Sequence, residues 1–453
     1  METSRQKGFL DRFPPQTARV LEFLRQYESR NILYIDPDGG WPIVWTRAQG
    51  CTVWDAEGKE YIDFTAAFGV AAAGHANPRV VQAAMQQLRT LVHAMGDIHP
   101  HPLKAELVRT LSHRTFERWT GGQVHGKTIL CNSGFEAVEA ALKTAYLATG
   151  RERVVAFEGA YHGLGYGALN TTHREFFRSP FRRQLREFAD FVPYPTRKNQ
   201  MEEVLDRLDH LFKTGRYGAA LIEPIQGRGG TRVPAEGFLS RLADLCRQRG
   251  VLLILDEIYT GFGRTGWWFA CEAEGVVPDL ICVGKAMTGG FPMSACIGQA
   301  ELMDAAWPES TGEAIHTSTF LGHPVGCAMA LAQQEEIERR GLVERARKFG
   351  PRWLRRLKKA CRSWPWSYEV RGRGMMLGVE FRRADGSPAT AEVIALAKQL
   401  LQDGLIVLPE GEANHVLGLT PPLILTDRQF QRLCLALSER LPQIAETFQT
   451  SRR

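Results

Sequence analysis

The sequence predicts an α/β protein in which helices flank a mainly parallel sheet, with a smaller α/β domain beside it. Two observations predict this fold class. In the middle of the chain, short apolar runs alternate with segments of helical periodicity, and beyond about residue 328 the pattern changes to charged helices and shorter strands. Alternating strands and helices favour right-handed βαβ units around a parallel sheet.

Four apolar runs in the middle of the chain predict buried strands, at residues 154–157, 219–222, 251–255 and 280–283. Between them, the segment from Phe238 to Arg249 repeats leucines near helical spacing. Ligands of such sheets bind beyond the carboxyl ends of the strands. Glu223, Asp256 and Lys285 follow strand ends, so they are the first candidates for a site.

The last third of the chain predicts a second, smaller unit. A charged helical stretch at 334–348 precedes a strand at 374–381, a helix at 391–401, strands at 405–408 and 416–419, and a closing helix at 427–441. Near the start, residues 52–63 have the pattern of a hairpin. We therefore expect residues 1–75 to pack with the small domain or a partner subunit, 76–328 to form the large ligand-binding domain, and 329–453 the small C-terminal domain.

Composition excludes several classes of function. With 44% hydrophobic and 23% charged residues, the 453-residue chain has an ordinary globular composition, and its net charge of +6 is scattered, so no nucleic-acid partner is expected. The nine cysteines form no CxxC pair, which argues against a zinc site and a disulfide framework and favours a cytoplasmic location. Residues 1–8 lack an apolar leader, and no stretch approaches the ~20 apolar residues of a membrane span.

Three segments have the parts of a cofactor site. Ser133 and Glu136 have capping-box spacing at a helix start, whose free N–H groups suit a phosphate, although a plain capped helix has the same pattern. Tyr161 follows a strand, where an aromatic ring stacks on a flat cofactor or simply fills the core. Asp256 ends a wholly apolar strand, and burying a carboxylate is costly unless it is paired.

Lys285 lies between apolar neighbours, where burial lowers the pKa of an amine that forms a Schiff base. The alternative is a lysine whose stem is buried and whose ammonium reaches water. A metal is another partner for Asp256, but no cluster of ligands at metal spacing accompanies it. Together the parts suit pyridoxal 5′-phosphate, with Lys285 as the Schiff-base lysine, Asp256 against the pyridinium nitrogen and the ring as electron sink.

Six motifs occur in an order that resembles one family. They are Gly74–Pro78, Asn132–Ala137, Tyr161–Gly163, Glu223–Gly227, Asp256–Gly266 and Pro278–Lys285. In combination they are similar to the class III (omega) pyridoxal-phosphate-dependent aminotransferases over nearly the whole chain. The resemblance implies a fold-type-I homodimer with an active site shared between subunits. It also implies transfer of an amino group from an amine or amino acid to a keto acid, aldehyde or ketone.

The resemblance also implies roles for individual residues. Lys285 and Asp256 are the catalytic pair, and Ile258 and Tyr161 flank the cofactor ring. Ser133, Gly134 and the amide of Phe135 hold the phosphate, while Thr319 reaches the phosphate of the neighbouring subunit. His162, Glu223 and Tyr259 complete the cofactor-binding set, and Phe68 and Arg228 are expected on the substrate side.

The chain departs from the family pattern at positions that concern the substrate. Phe135 replaces a hydroxyl residue, Leu164 and Gly418 replace arginines that bind carboxylates in many members, and His323 replaces an asparagine. Arg228 stands where many members have glutamate. Either the reacting end of the substrate lacks a carboxylate, or Arg228 supplies the counter-charge; alternatively Arg228 points to solvent or pairs with an acid.

Two other functions compete with transamination. One is a racemase or epimerase of the same family, which returns the proton to the same carbon, and the other is a scaffold that kept only the fold. Incubation with an amine donor and no acceptor separates the three. A transaminase accumulates pyridoxamine phosphate, a racemase changes optical rotation, and a scaffold does neither.

Overall fold

The computed structural model describes residues 10–450. Residues 1–8, where no leader was expected, lie outside the described part. The helices are α1 Pro15–Tyr27, α2 Ala66–Gly69, α3 Pro78–Thr90, α4 Pro102–Ser112, α5 Gly134–Thr149, α6 Tyr166–Thr171, α7 Glu175–Arg178, α8 Lys198–Lys213, α9 Phe238–Arg249, α10 Ala300–Ala306, α11 Pro324–Arg339, α12 Leu342–Ala360, α13 Thr390–Gln402 and α14 Asp427–Thr450.

The strands are β1 Trp45–Gln49, β2 Thr52–Asp55, β3 Glu60–Asp63, β4 Gly126–Cys131, β5 Arg153–Phe157, β6 Ala189–Val192, β7 Tyr217–Ile222, β8 Leu252–Asp256, β9 Leu280–Val283, β10 Ser294–Gln299, β11 Tyr368–Arg373, β12 Met376–Phe381, β13 Leu405–Ile406, β14 Leu408–Glu410 and β15 Val416–Leu419. Within residues 10–450, no helix is long and apolar enough to cross a membrane. The same residues contain no group of three or more His, Cys, Asp or Glu side chains placed to hold a metal ion.

The central sheet has seven strands in the order β4-β10-β9-β8-β7-β5-β6. The five strands from β9 to β6 are parallel, and β10 is antiparallel to both of its neighbours. The predicted α/β class with a mainly parallel sheet is therefore confirmed. Strands β7 and β9 are buried along their whole length, as expected for a parallel sheet covered on both faces.

Two four-stranded sheets complete the fold, in the orders β1-β2-β3-β13 and β11-β12-β15-β14. The predicted hairpin at residues 52–63 is present as β2 and β3, and β13 from the C-terminal part pairs with β3 in parallel. The single strand expected at 405–408 is instead two strands, because the chain passes from one sheet to the other at Val407. The division into residues 1–75, 76–328 and 329–453 stays a prediction.

The charged stretch at 334–348 is not one helix, as the sequence pattern predicted. Helix α11 ends at Arg339 and α12 begins at Leu342, with Gly341 between them at a φ of 58°. A left-handed residue is a common way to end a helix, and glycine adopts that conformation without steric cost. The closing helix α14 continues to Thr450, beyond the predicted end at residue 441.

The sheet brings the predicted site residues to one edge. Because β10 is antiparallel to both β4 and β9, these two strands run in the same direction. The carboxyl ends of β4, β8 and β9 therefore face the same side. They deliver the start of α5, the side chain of Asp256 and the backbone turn that carries Lys285.

Candidate active site

A cavity of about 540 Å³ opens at this edge of the sheet. Its walls contain most of the residues that the sequence singled out, and Ser133 and Thr319 are the two predicted residues that do not line it. The lining residues are Phe68, Gly134, Phe135, Tyr161, His162, Gly163, Leu164, Glu223, Arg228, Asp256, Ile258, Tyr259 and Lys285.

Asp256 is a buried acid with a defined orientation. Its Oδ2 lies 2.7 Å from Nδ1 of His162, and its Oδ1 accepts the backbone N–H of Ile258 at 3.1 Å. Asp256 is 5% exposed and His162 2% exposed, so water cannot solvate the carboxylate freely. A buried carboxylate held in this way favours a cationic or N–H partner on its cavity side.

Lys285 follows β9 in a strained backbone conformation, with a φ of 40°. Such conformations cluster at functional sites, where the surrounding structure maintains them. Burial lowers the pKa of the Lys285 amine, and the nearby charges of Asp256 and Glu223 oppose this shift. The Nζ atom lies 4.7 Å from the centre of the Tyr259 ring. A lysine with a lowered pKa has more neutral amine at neutral pH and is therefore a better nucleophile.

The start of α5 is built to receive an anion. The Glu136 carboxylate accepts the backbone N–H groups of Asn132 at 2.6 Å and of Ser133 at 3.1 Å. The Ser133 Oγ is buried and has no hydrogen-bond partner among the described residues. Gly134 lets the helix start approach β8, because a Cβ at this position would lie 3.1 Å from Cδ1 of Ile258. Free N–H groups and an unpartnered hydroxyl at a helix N-terminus suit a phosphate.

These residues fit pyridoxal phosphate. The unpartnered Ser133 hydroxyl lies at the start of α5, and the buried acid Asp256 ends a strand of the same sheet edge. Lys285 shares the cavity with Asp256, and Tyr161 and Ile258 contribute flat or apolar side chains to its walls. The donor set therefore matches the phosphate, the ring nitrogen and the aldehyde carbon of this cofactor.

Glu223 orders the backbone around the cavity. Its carboxylate accepts the N–H of Tyr161 at 3.0 Å through Oε1 and the N–H of Gly227 at 2.9 Å through Oε2. Burial raises the pKa of Glu223 to about 7, and the charge of His162 opposes this shift. Glu223 therefore connects the Tyr161 segment to the Arg228 segment, which is a structural contribution to the cofactor site.

The Tyr259 ring is held in a narrow slot. A Cβ at Gly227 would lie 2.1 Å from Cδ1 of this ring, and one at Gly69 would lie 2.6 Å from Cε2. The Tyr259 hydroxyl lies 3.1 Å from Oγ1 of Thr420 and 3.5 Å from Oε1 of Glu410. The sequence did not single out Thr420 or Glu410, which reach the site from the C-terminal part of the chain.

Glu410 occupies the space next to Gly418. A Cβ at Gly418 would lie 2.6 Å from Cδ and 2.7 Å from Oε2 of Glu410, so a larger side chain at 418 would displace this acid. Burial raises the pKa of Glu410 to about 7, and the charges of Arg228 and Lys285 oppose this shift. The absence of a carboxylate-binding arginine at 418 is thus accompanied by a buried acid from the adjacent strand β14.

Arg228 stands in the cavity wall with its charge available. The side chain is exposed, and its guanidinium carbon lies 5.3 Å from the centre of the Tyr161 ring. Within the described residues it forms no ion pair, so the alternative in which it pairs with an acid is not seen, whereas the alternative in which it points to solvent agrees with its exposure. A guanidinium stacked on an aromatic face keeps its edge N–H groups free for an anion.

Thr319 lies outside the cavity of its own chain. It is exposed on the segment between α10 and α11, next to Ser318, whose Oγ accepts a hydrogen bond from Nδ2 of Asn132 at 3.1 Å. His323 begins α11 by accepting the N–H of Val325 at 3.2 Å through Nδ1. His323 therefore acts as a helix cap in this structure.

Comparison with known proteins identifies the relatives of this chain. The model of the family "Aminotransferase class-III" matches residues 34–441. Acetylornithine aminotransferase of Methanosarcina mazei is 36% identical over 88% of this chain and 92% of the relative. The 5-aminovalerate aminotransferase of Pseudomonas aeruginosa is 35% identical over 89% of this chain and 94% of the relative. A structure of ornithine aminotransferase from Toxoplasma gondii, with partial occupancy of PLP at its active site, superposes with a TM-score of 0.82 at 27% identity, covering 98% of this chain and 99% of the other.

Proposed function

The chain belongs to the class III aminotransferases, and from this premise we propose that it moves the amino group of a terminal primary amine to a keto acid bound by Arg228. Transamination with pyridoxal phosphate is the activity of the family. The relatives are named aminotransferases, which favours transamination over the racemase alternative.

We assign the cofactor-binding roles as follows. Ser133, Gly134 and the amide of Phe135 bind the phosphate, and Tyr161 and Ile258 flank the ring. When bound, pyridoxal phosphate supplies an electron sink for the carbon that carries the amino group. Asp256, which His162 holds at 2.7 Å, would lie against the ring nitrogen, and a carboxylate there would favour the protonated nitrogen.

Lys285 has two tasks in this proposal. It would hold the cofactor covalently through its amine when no substrate is bound. As a free amine, Lys285 would remove the proton from the carbon that bears the amino group and later return it, as general base and acid. Burial supports both tasks, because it lowers the pKa of Lys285 and so increases the neutral fraction of the amine.

The substrate side of the cavity is apolar at three points. Phe68, Phe135 and Leu164 line it and remain 52%, 38% and 46% exposed. They suit the carbon chain of an amine, and none of them offers a partner for a carboxylate. The relatives point the same way, since 5-aminovalerate carries its amino group at the end remote from its carboxylate.

The observation that carries the proposal is the unpaired guanidinium of Arg228 beside Tyr161, in the same cavity as Lys285. A panel of donors and acceptors, followed by the spectra of each half-reaction, tests the proposal. We expect terminal amines, without an acceptor, to convert the cofactor to pyridoxamine phosphate. Keto acids should then convert it back to pyridoxal phosphate. Conversion only by α-amino acids would contradict the amine assignment.

Arg228→Ala is expected to raise KM for the keto acid by about ten- to a hundredfold, since a hydrogen bond to a charged group contributes ~1.5–3 kcal/mol. KM for an amine without a carboxylate is expected to change little. Steady-state kinetics with each partner varied separately measures both values. Arg228→Lys is the matched variant, because it keeps the charge but loses the bidentate geometry. Its KM for the keto acid should lie between the values for the native enzyme and for Arg228→Ala.

We further propose that the enzyme is a homodimer and that Thr319 contributes to the phosphate site of the partner subunit. Exposed apolar side chains support an interface near Thr319: Val92, Met95, Ile98, Ile315 and Phe320 are all at least half exposed. The two segments that carry them are joined, because Thr317 donates a hydrogen bond to Asp97 at 2.8 Å and the rings of His93 and Phe320 lie 5.3 Å apart. Contiguous exposed apolar residues of this kind are typical of interaction surfaces.

If the phosphate site is shared, cofactor binding and assembly are thermodynamically linked. Pyridoxal phosphate at about 100 times its Kd should then stabilise the dimer by about 2.7 kcal/mol. Sedimentation of the apoenzyme and the holoenzyme across a dilution series measures the effect, and Thr319→Val should reduce it. Ser310→Ala, on the same exposed loop, is the control, and a fully active monomer would contradict the proposal.

A further inference from the structure

A second guanidinium, that of Arg174, lies close enough to Arg228 for their charges to interact, just outside the set of residues that line the cavity. Arg174 is half-buried, and its Nη2 donates a hydrogen bond to the carbonyl oxygen of Glu412 at 2.7 Å. The preceding residue, Gly411, donates its N–H to the carbonyl oxygen of Arg228 at 3.1 Å. One short segment, residues 411–412, therefore contacts both arginines.

Two aromatic rings hold the guanidinium groups in place. Arg228 lies 5.3 Å from the centre of the Tyr161 ring, and Arg174 lies 5.7 Å from the centre of the Phe177 ring. The two rings contact each other edge to face, with centres 5.6 Å apart. The arginines thus stack on a connected aromatic pair, which limits their motion without using their edge N–H groups.

The positive charges of the two arginines affect each other. Burial lowers the pKa of Arg174, and the charge of Arg228 lowers it further. The acids nearby have other partners: the Glu412 carboxylate lies 3.0 Å from Nδ1 of His173, and Glu175 pairs with Arg178 at 3.1 Å. Two positive charges that repel each other in a partly buried environment are stabilised when an anion binds between them.

We propose that Arg174 is a specificity-determining residue that binds a second carboxylate, at the end of the acceptor remote from the reacting carbon. This inference rests on the proposed role of Arg228, which binds the carboxylate nearer to that carbon. An analogue without the second carboxylate would leave the Arg174 guanidinium without that hydrogen-bond partner and would therefore bind more weakly. The two arginines thus select dicarboxylic over monocarboxylic keto acids.

The test compares two acceptors of the same chain length, 2-oxoglutarate and 2-oxopentanoate, which lacks the second carboxylate. Arg174→Gln keeps a donor for the Glu412 carbonyl and removes the charge. It is expected to raise KM for 2-oxoglutarate by about tenfold or more while leaving kcat and the KM for 2-oxopentanoate unchanged. Arg174→Lys should restore part of the affinity for 2-oxoglutarate. Arg183→Ala, which replaces an exposed arginine nearby in the sequence, should change KM for neither acceptor.

Calorimetry of the holoenzyme with glutarate and with butyrate gives a readout that does not depend on turnover. We expect Arg174→Gln to weaken glutarate binding by the same factor and to leave butyrate binding unchanged. Equal losses for both acceptors, or no loss for 2-oxoglutarate, would overturn the inference. The role of Arg228 is judged separately, because Arg228→Ala should raise KM for 2-oxopentanoate whether or not Arg174 binds an anion.

Discussion

Replacing Lys285 by alanine is expected to slow transamination by at least about 10⁴-fold, because the general acid–base step alone contributes 10²–10⁴-fold and covalent attachment of the cofactor is lost as well. Folding should be retained, since the side chain makes no hydrogen bond that the neighbouring strands need. Single-turnover spectra of the variant, loaded with cofactor and mixed with an amine donor, measure the proton-transfer rate directly.

The same residue can be identified by chemical labelling. Borohydride reduction of the native enzyme should fix the cofactor on Lys285 and remove its visible absorbance, and peptide mapping locates the modified lysine. Lys127→Ala is a suitable control, because Lys127 is exposed and pairs with Asp304 outside the cavity. Labelling at any other lysine would show that the assignment of Lys285 is wrong.

Much of the central sheet was predictable because several of its strands are buried on both faces. The apolar runs at 219–222 and 280–283 correspond to β7 and β9, which are wholly buried. Strand β10 was missed, since Ser294–Gln299 mixes small and polar residues and its place between β4 and β9 depends on long-range pairing. The helix break at Gly341 was also missed, because one glycine within a charged pattern is compatible with a continuous helix.

The cofactor side of the site was more predictable than the substrate side. Asp256 and Lys285 each follow a strand, so the topology of a parallel sheet alone predicts that they meet at one edge. Glu410 and Arg174 have no such local pattern. Glu410 reaches Tyr259 through the pairing of β14 with β15, and Arg174 is held near Arg228 through the carbonyl of Glu412, contacts that join residues far apart in the sequence.

Asp256→Asn is expected to slow the proton-transfer step by about 10³-fold, the scale of losing a major electrostatic contribution to a transition state. Asparagine has nearly the same shape and its amide oxygen can still accept the N–H of Ile258, which Asp256 accepts at 3.1 Å. The substitution therefore removes, with little change in packing, the negative charge that in the proposed role would keep the ring nitrogen protonated. Stopped-flow measurement of the half-reaction with an α-deuterated amine reports this step directly.

The matched control is Asp279→Asn, because Asp279 is half-buried but precedes β9, at the opposite edge of the sheet. Its carboxylate accepts the N–H of Leu253 at 2.7 Å, and burial raises its pKa. Asp279→Asn should alter thermal stability and leave the half-reaction rate unchanged, whereas Asp256→Asn should do the reverse. A rate near that of the native enzyme for Asp256→Asn, with cofactor fully bound, would mean that another group sets the charge of the ring nitrogen.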